Sequence, residues 1–154
     1  MSRFSYYNYP EALKPLFAMK THIDRSGLEK NLVHLVMLRA SQLNGCAYCM
    51  DMHSKEARAD GETEQRLYLL QAWRESPFYS ERERAALAWC EAVTRLDPVR
   101  GVPDEVYEQA STQFSERELM DLNLLVIMIN GWNRIAVPSK TEPGSFKPAE
   151  RKVA

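Results

Sequence analysis

The sequence predicts an all-α domain. Apolar residues recur at helical spacing, as in Leu28, Leu32, Leu35 and Val36, and no segment shows convincing strand alternation. Two Ser-Glu-Arg-Glu runs, 80–83 and 115–118, fit capping boxes, in which a hydroxyl bonds the third backbone N–H and a glutamate reaches back. Asn44-Gly45, Gly61, Ser76-Pro77, Asp97-Pro98 and Pro138 break the chain between helical stretches.

The elements follow in order. Pro10 opens a helix over 10–20, which Pro15 bends or restarts. Ser26 caps a second helix over 28–42, whose buried stripe also takes in Leu38 and Leu43, and Asn44-Gly45 ends it. A third spans 46–60, with Gly61 as its stop. Thr63 caps a fourth through 75, and the first capping box starts a fifth over 81–96. Pro103 fits the first turn of a short sixth. The second box opens a last helix over 116–135, stopped by Pro138 and almost continuously apolar from 122 to 129. Such a helix is expected both at the core and at a subunit interface, hence an oligomer. These elements form one expected domain, 1–138, with its motif core at 33–75. The remainder, SKTEPGSFKPAERKVA (139–154), is rich in Pro, Lys, Ser and Glu and is expected to be a mobile tail unless a partner subunit holds it.

The 154 residues suffice for one domain with a real core. A formal net charge of −1 leaves no global field for nucleic acid or acidic membranes. No stretch approaches the roughly 20 apolar residues of a membrane-spanning helix, and the first residues hold no apolar run of an export signal. An odd count of three cysteines does not suggest a secreted disulfide scaffold, so a reducing cytoplasm is expected.

The chemistry concentrates in NGCAYCMDMHSKEA, residues 44–57. Cys46 and Cys49 share one face of the third helix, about 5 Å apart at Cα, within the range a disulfide tolerates. The N–H groups and dipole of a helix N-terminus favour thiolate, the nucleophilic form. His53 lies one turn beyond Cys49, where an imidazole can take its proton and stabilise the anion. The spacing also admits half of a zinc site, but Cys90 has no cysteine or histidine beside it to complete one. Two inert neighbouring cysteines are the bland alternative. Cys90 reads as a small buried hydrophobe, His22 as a solvated helix-end residue, and Trp73, Trp89 and Trp132 as packing anchors.

With these residues in view, LRASQLNGCAYCMDMHSKEARADGETEQRL, residues 38–67, resembles the core of the AhpD-like alkylhydroperoxidases, part of the carboxymuconolactone decarboxylase superfamily. The family's CxxC, three residues and a histidine are matched by Cys46, Cys49 and His53. The resemblance implies an all-helical subunit in a trimer or hexamer, and a thiol-dependent peroxidase or disulfide oxidoreductase serving oxidative-stress defence. It implies no metal, haem or flavin, but an external dithiol reductant as partner. It also implies that Cys49 is oxidised by the hydroperoxide to a sulfenic acid and Cys46 resolves this to a disulfide, with Cys46 the candidate for attack by the donor. The chain departs from the family at two positions. The relay glutamate twelve residues before the first cysteine is replaced by His34, and Tyr48 stands where members can carry a histidine between the cysteines. His34 can substitute as a base, and Glu91 is a candidate acid from across the site. Decarboxylase members generally lack the cysteine pair, which argues against lactone chemistry here. A non-catalytic redox-responsive assembly protein and a metal-binding structural protein are the competing classes.

Overall fold

In the computed structural model, which describes residues 2–149, the chain folds into seven α-helices with two short 3-10 turns. The helices are α1 (Pro10–Ile23), α2 (Lys30–Leu43), α3 (Ala47–Ala59), α4 (Glu64–Leu69), α5 (Glu81–Thr94), α6 (Asp104–Gln113) and α7 (Glu116–Ser139). The turns are Tyr6–Asn8 and Leu70–Ala72. The described residues form no β-sheet; Asp97 and Gly101 make one isolated bridge.

The broad apolar stripe of α2 makes it the central helix, packed against α3, α5 and α7. One face, Leu32, Val36 and Ala40, meets Ala85, Ala86 and Cys90 of α5 and Leu122, Leu125, Val126 and Ile129 of α7. The alanines let the three helices approach closely, while each buried Leu or Ile contributes about 1.5–3 kcal/mol. The other face, Leu35 and Leu38, covers a second cluster with Ala57, Leu67, Leu70, Trp73 and Leu87. Two buried faces explain why the periodicity of α2 is wide. The 122–129 run of α7 supplies Leu122, Leu125, Val126, Met128 and Ile129 to the first cluster, yet Ile127 is left exposed. α1 lies on α7, and α6 bridges α5 and α7.

Several boundaries differ from the expected ones for identifiable reasons. Ser26 does not cap α2: its hydroxyl donates to Ile23 O and accepts from Leu28 N, closing the α1–α2 turn, and α2 starts at Lys30. Pro15 does not end α1, which runs to Ile23; Pro15, which has no N–H to donate to the Glu11 carbonyl, and Glu11 both lie on the exposed side. The fourth helix stops at Leu69 and tightens into the 3-10 turn. Pro103 is the N-cap of α6 rather than part of its first turn. Pro138 sits inside the last turn of α7, which ends at Ser139 with Lys140 left-handed at φ 53°. The terminal carbonyls of α7 are taken up by the N-terminal segment: Arg3 N donates to Ser139 O at 2.8 Å, Ser2 Oγ to the same oxygen at 3.1 Å, and Arg3 Nη1 to Pro138 O at 3.4 Å. His22 is half exposed, but its Nε2 meets the buried Asp121 carboxylate at 2.6 Å and ties α1 to α7.

Of the expected tail, Ser139 belongs to α7 and 144–146 lie on α3. Gly144 N donates to Asp51 Oδ2 at 2.9 Å, and Lys55 Nζ to Gly144 O at 3.3 Å and Phe146 O at 3.2 Å. Residues 150–154 of that tail lie outside the described residues. Among the described residues, no helix is long and apolar enough to cross a membrane.

Both capping boxes form, at Ser80–Glu83 and Ser115–Glu118. The Ser115 backbone N–H and hydroxyl, joined by Arg82, hold the Glu118 carboxyl down from its ordinary 4.5 to about 2. The carboxyl is thus more acidic folded than unfolded. The stabilisation it gives is complete above about pH 4.5 and is lost as pH falls towards 2. Glu118→Gln is expected to lower the unfolding midpoint at neutral pH and to flatten the acid limb of stability over that window. Denaturant titrations at several pH values measure both.

Candidate active site

The site is built on the turn between α2 and α3. Gly45 adopts φ +64°, a left-handed conformation that side chains disfavour, and so lets the chain reverse directly after the C-cap Asn44. The Asn44 amide reaches across to α7, donating to Asn133 Oδ1 at 2.9 Å and Asn130 Oδ1 at 3.0 Å. Asn133, 1% exposed, in turn donates to Ser41 Oγ at 3.1 Å. Cys46 N is bonded to Ser41 O at 3.0 Å. The turn is therefore held from both sides before α3 begins.

Cys46 is the N-cap of α3, one residue outside the helix, with extended backbone. Its sulfur accepts from Cys49 N at 3.3 Å, the role a serine hydroxyl plays at other helix starts. Cys46 and Cys49 are disulfide-bonded, 5.3 Å apart at Cα and each 2% exposed, packed against Ala136 with Tyr48 alongside. The pair is closed without disturbing α3, as the one-turn spacing allows.

Cys49, and not Cys46, lines a cavity of about 210 Å³. His53 and Glu56 share its wall with Cys49, on one face of α3. Phe17 of α1, Met37 of α2, Met52 of α3 and Met128 and Trp132 of α7 make the rest predominantly apolar, with Phe17 edge-on to Trp132 at 5.2 Å. Lys20 and the tyrosines Tyr6, Tyr7 and Tyr48 complete it. The Tyr6 hydroxyl donates to Tyr7 at 3.4 Å, and the Tyr7 and Tyr48 hydroxyls are bonded at 3.1 Å. Burial pushes the Tyr6 phenol up to about 12 and the Tyr48 phenol higher, so both are protonated donors at neutral pH.

His53 is 5% exposed, and its Nδ1 lies 3.0 Å from Glu56 Oε2. An ionised carboxylate only accepts, so Nδ1 carries the proton in that bond. Nε2 is buried and has no hydrogen-bond partner among the described residues. Burial raises the Glu56 carboxyl, but the His53 hydrogen bond and the charges of His53, His34 and Lys20 outweigh it and hold Glu56 below the ordinary carboxylate range.

The expected site residues are thus divided. Cys46, Cys49 and His53 come together. His34 is buried on α2, outside the cavity lining, with Nε2 on Asp60 Oδ2 at 2.5 Å; Lys30 meets the other carboxylate oxygen at 3.0 Å. His34 thereby fastens α2 to the C-cap of α3. Glu91 also lies outside the cavity lining: its carboxylate accepts from Trp73 Nε1 and Arg39 Nε, both at 2.8 Å, and from Arg74 Nη1 at 2.6 Å. Cys90 is a free, fully buried thiol pushed up to about 12 by burial. Among the described residues no group of three or more His, Cys, Asp or Glu is placed to hold a metal ion.

Glu56 and the N-terminal tyrosines join the site without having been singled out in the sequence, and Trp132, read there as a packing anchor, lines the cavity as well. Glu56 carries a signal: three residues after His53 and seven after Cys49, it falls on the same helical face. Tyr6, Tyr7 and Trp132 carry none, because long-range packing alone brings the N-terminus and α7 to α3.

The carboxymuconolactone decarboxylase family model matches residues 10–92, more than half of the chain. The uncharacterized protein YdfG of Bacillus subtilis (strain 168) is 44% identical over 136 residues, covering 88% of this chain and 92% of its own. The crystal structure of an Agrobacterium tumefaciens protein of unknown function, described as a candidate antioxidant defence protein AhpD, superposes with a TM-score of 0.89 at 42% identity, over 95% of this chain and 100% of its own. The debrominase Bmp8 shares the fold at a TM-score of 0.77 and 20% identity, over 90% of this chain and 74% of its own. Family match, helical architecture and the placement of the cysteine pair agree: the chain is a member of the carboxymuconolactone decarboxylase family with an AhpD-like fold.

Proposed function

We propose that the protein is a thiol-dependent peroxidase, reducing organic hydroperoxides through Cys49 and Cys46 at the expense of an external dithiol. The observation that carries this reading is the disulfide whose Cys49 half lines an apolar cavity together with His53. In the reduced protein the Cys49 thiolate attacks the terminal peroxide oxygen. The O–O bond breaks, an S–O bond forms, and the alcohol leaves with a proton relayed by His53. The Cys46 thiolate then attacks the sulfenic sulfur, forming the S–S bond and releasing water once protonated. A donor dithiol reopens the bridge by exchange, supplying two electrons and two protons and leaving as its own disulfide. The dominance of Met, Phe and Trp in the wall favours alkyl and aryl hydroperoxides over hydrogen peroxide, which gains nothing from apolar contact.

The test mixes fully reduced protein with one equivalent of cumene hydroperoxide. One equivalent of alcohol is expected, with loss of two thiols and formation of the Cys46–Cys49 bridge. Hydrogen peroxide is expected to react at least about tenfold more slowly. Thiol loss no faster than that of free cysteine overturns the assignment.

A further inference from the structure

We infer that Glu56 is a positioning residue for the cysteine chemistry: it fixes His53 with its proton on Nδ1 and leaves Nε2 as the nitrogen that exchanges a proton with Cys49. The inference rests on the peroxidase reading for its purpose, but its geometry stands apart from any substrate. Cys49, His53 and Glu56 occupy positions four and then three residues apart on α3, one stripe of a single helix, and all three line the cavity. The His53 Nδ1–Glu56 Oε2 bond of 3.0 Å decides the tautomer. In the neutral ring Nε2 then carries the lone pair, buried and unpaired among the described residues. A histidine kept only for packing would avoid that arrangement, since an unsatisfied buried polar atom is destabilising. A proton acceptor one turn from a nucleophilic cysteine requires it.

The surrounding charges are compatible with the assignment. From α1, Lys20 faces the cavity while paired to Asp24 at 2.6 Å. From α2, the charge of His34 also favours the Glu56 carboxylate, while its Nε2 is bonded to Asp60. Tyr6, Tyr7 and Tyr48 present hydroxyls, and α7 presents only Met128, Trp132 and Ala136. Glu56 is therefore the carboxylate hydrogen-bonded to the histidine, and it comes from the same helix as the cysteines. The position where relatives are expected to carry a relay glutamate belongs instead to His34, which bonds to Asp60 at the end of α3.

The test uses the Cys46→Ser protein, in which Cys49 is held as a thiol and Cys90 stays buried. Nitrogen-15 NMR reads the His53 tautomer, and the rate of Cys49 alkylation by iodoacetamide is followed across pH. Glu56→Ala is expected to lose the fixed Nδ1–H form and to slow alkylation at neutral pH about tenfold, the scale on which a histidine's outer partner acts. Glu56→Gln keeps the accepting oxygen without the charge, so it is expected to retain the tautomer and recover part of the rate. An unchanged tautomer in Glu56→Ala, or a changed tautomer with an unchanged alkylation profile, overturns the inference. If Glu56→Ala does not fold, Glu56→Gln decides: an alkylation profile identical to that of the parent overturns it, and a slowed one supports it. Neither readout involves peroxide, so a protein that passes both yet fails to consume hydroperoxide refutes the peroxidase reading and leaves the role of Glu56 standing.

Discussion

Cys49→Ser is expected to reduce hydroperoxide consumption to the background of the dithiol alone, whereas Cys46→Ser is expected to consume one equivalent and stop. The two sulfurs are equally buried, 2% each, so accessibility of the whole residue does not distinguish them. Their surroundings do. Cys49 lines the cavity with His53 one turn away, while Cys46 is turned into the N-cap, its sulfur taking the Cys49 backbone N–H at 3.3 Å. A hydroperoxide in the cavity therefore meets Cys49. Without Cys49 no cysteine lines the cavity, and Cys90 cannot substitute, because it is fully buried and its thiol is pushed up to about 12. Without Cys46 the sulfenic acid on Cys49 forms but has no neighbour to resolve it, and it persists long enough for trapping by dimedone. Turnover of Cys49→Ser with dithiothreitol, the stoichiometry of hydroperoxide loss by reduced Cys46→Ser without added thiol, and mass spectrometry of the trapped adduct separate these outcomes. Sustained turnover by Cys49→Ser would refute the assigned order, and dimedone adduct on Cys46 in the Cys49→Ser protein would reverse it.

Local signals in the sequence were enough for the helices and the core of the site. The Ser-Glu-Arg-Glu runs form the boxes they spell, because a capping box involves only residues within one turn. Thr63 caps α4 for the same reason, its hydroxyl accepting from Arg66 N. The Cys46, Cys49 and His53 grouping was legible because α3 and its N-cap carry all three. The boundaries that shifted depend on what lies outside the segment. The last turn of α7, which contains Pro138, has its terminal carbonyls taken by Arg3 and Ser2 from more than 130 residues away. His34 illustrates the limit most clearly. Its residue type suited a proton relay, but its place is set by Asp60 on the next helix, and no periodicity in α2 announces that partner. The cavity wall is the least legible part, since it combines α1, α2, α3, α7 and the N-terminal turn.

The largest effect on stability from a single residue near the site is expected at Asn133, which carries the link between the α2–α3 turn and α7. It is 1% exposed. Its carbonyl accepts from Asn44 Nδ2 at 2.9 Å and its amide donates to Ser41 Oγ at 3.1 Å. Ser41, itself fully buried, passes its hydroxyl on to Met37 O at 2.7 Å. Asn133→Leu conserves the bulk but removes one of the two acceptors of the Asn44 amide and the donor to Ser41. With about 1–3 kcal/mol for a buried group left unsatisfied, a loss of about 2 kcal/mol or more is expected. That is a large fraction of the roughly 5–15 kcal/mol that holds a domain folded. Asn133→Asp keeps the shape and the acceptor but buries a charge whose direct hydrogen-bond partners, Asn44 and Ser41, are neutral, and about 3–5 kcal/mol is expected. The two variants differ in pH dependence. Burial raises the new carboxyl in the folded chain, so the deficit of Asn133→Asp grows as pH rises above the ordinary carboxylate value and shrinks as pH falls towards it, while that of Asn133→Leu is independent of pH. Urea unfolding at two pH values measures both. Because Asn44 is the residue before Gly45, loosening it also frees the turn that places Cys46 at the N-cap, and the disulfide of either variant is expected to re-form more slowly after reduction. Wild-type stability in Asn133→Leu would show that the turn is held by the Gly45 geometry and the Cys46 N to Ser41 O bond alone.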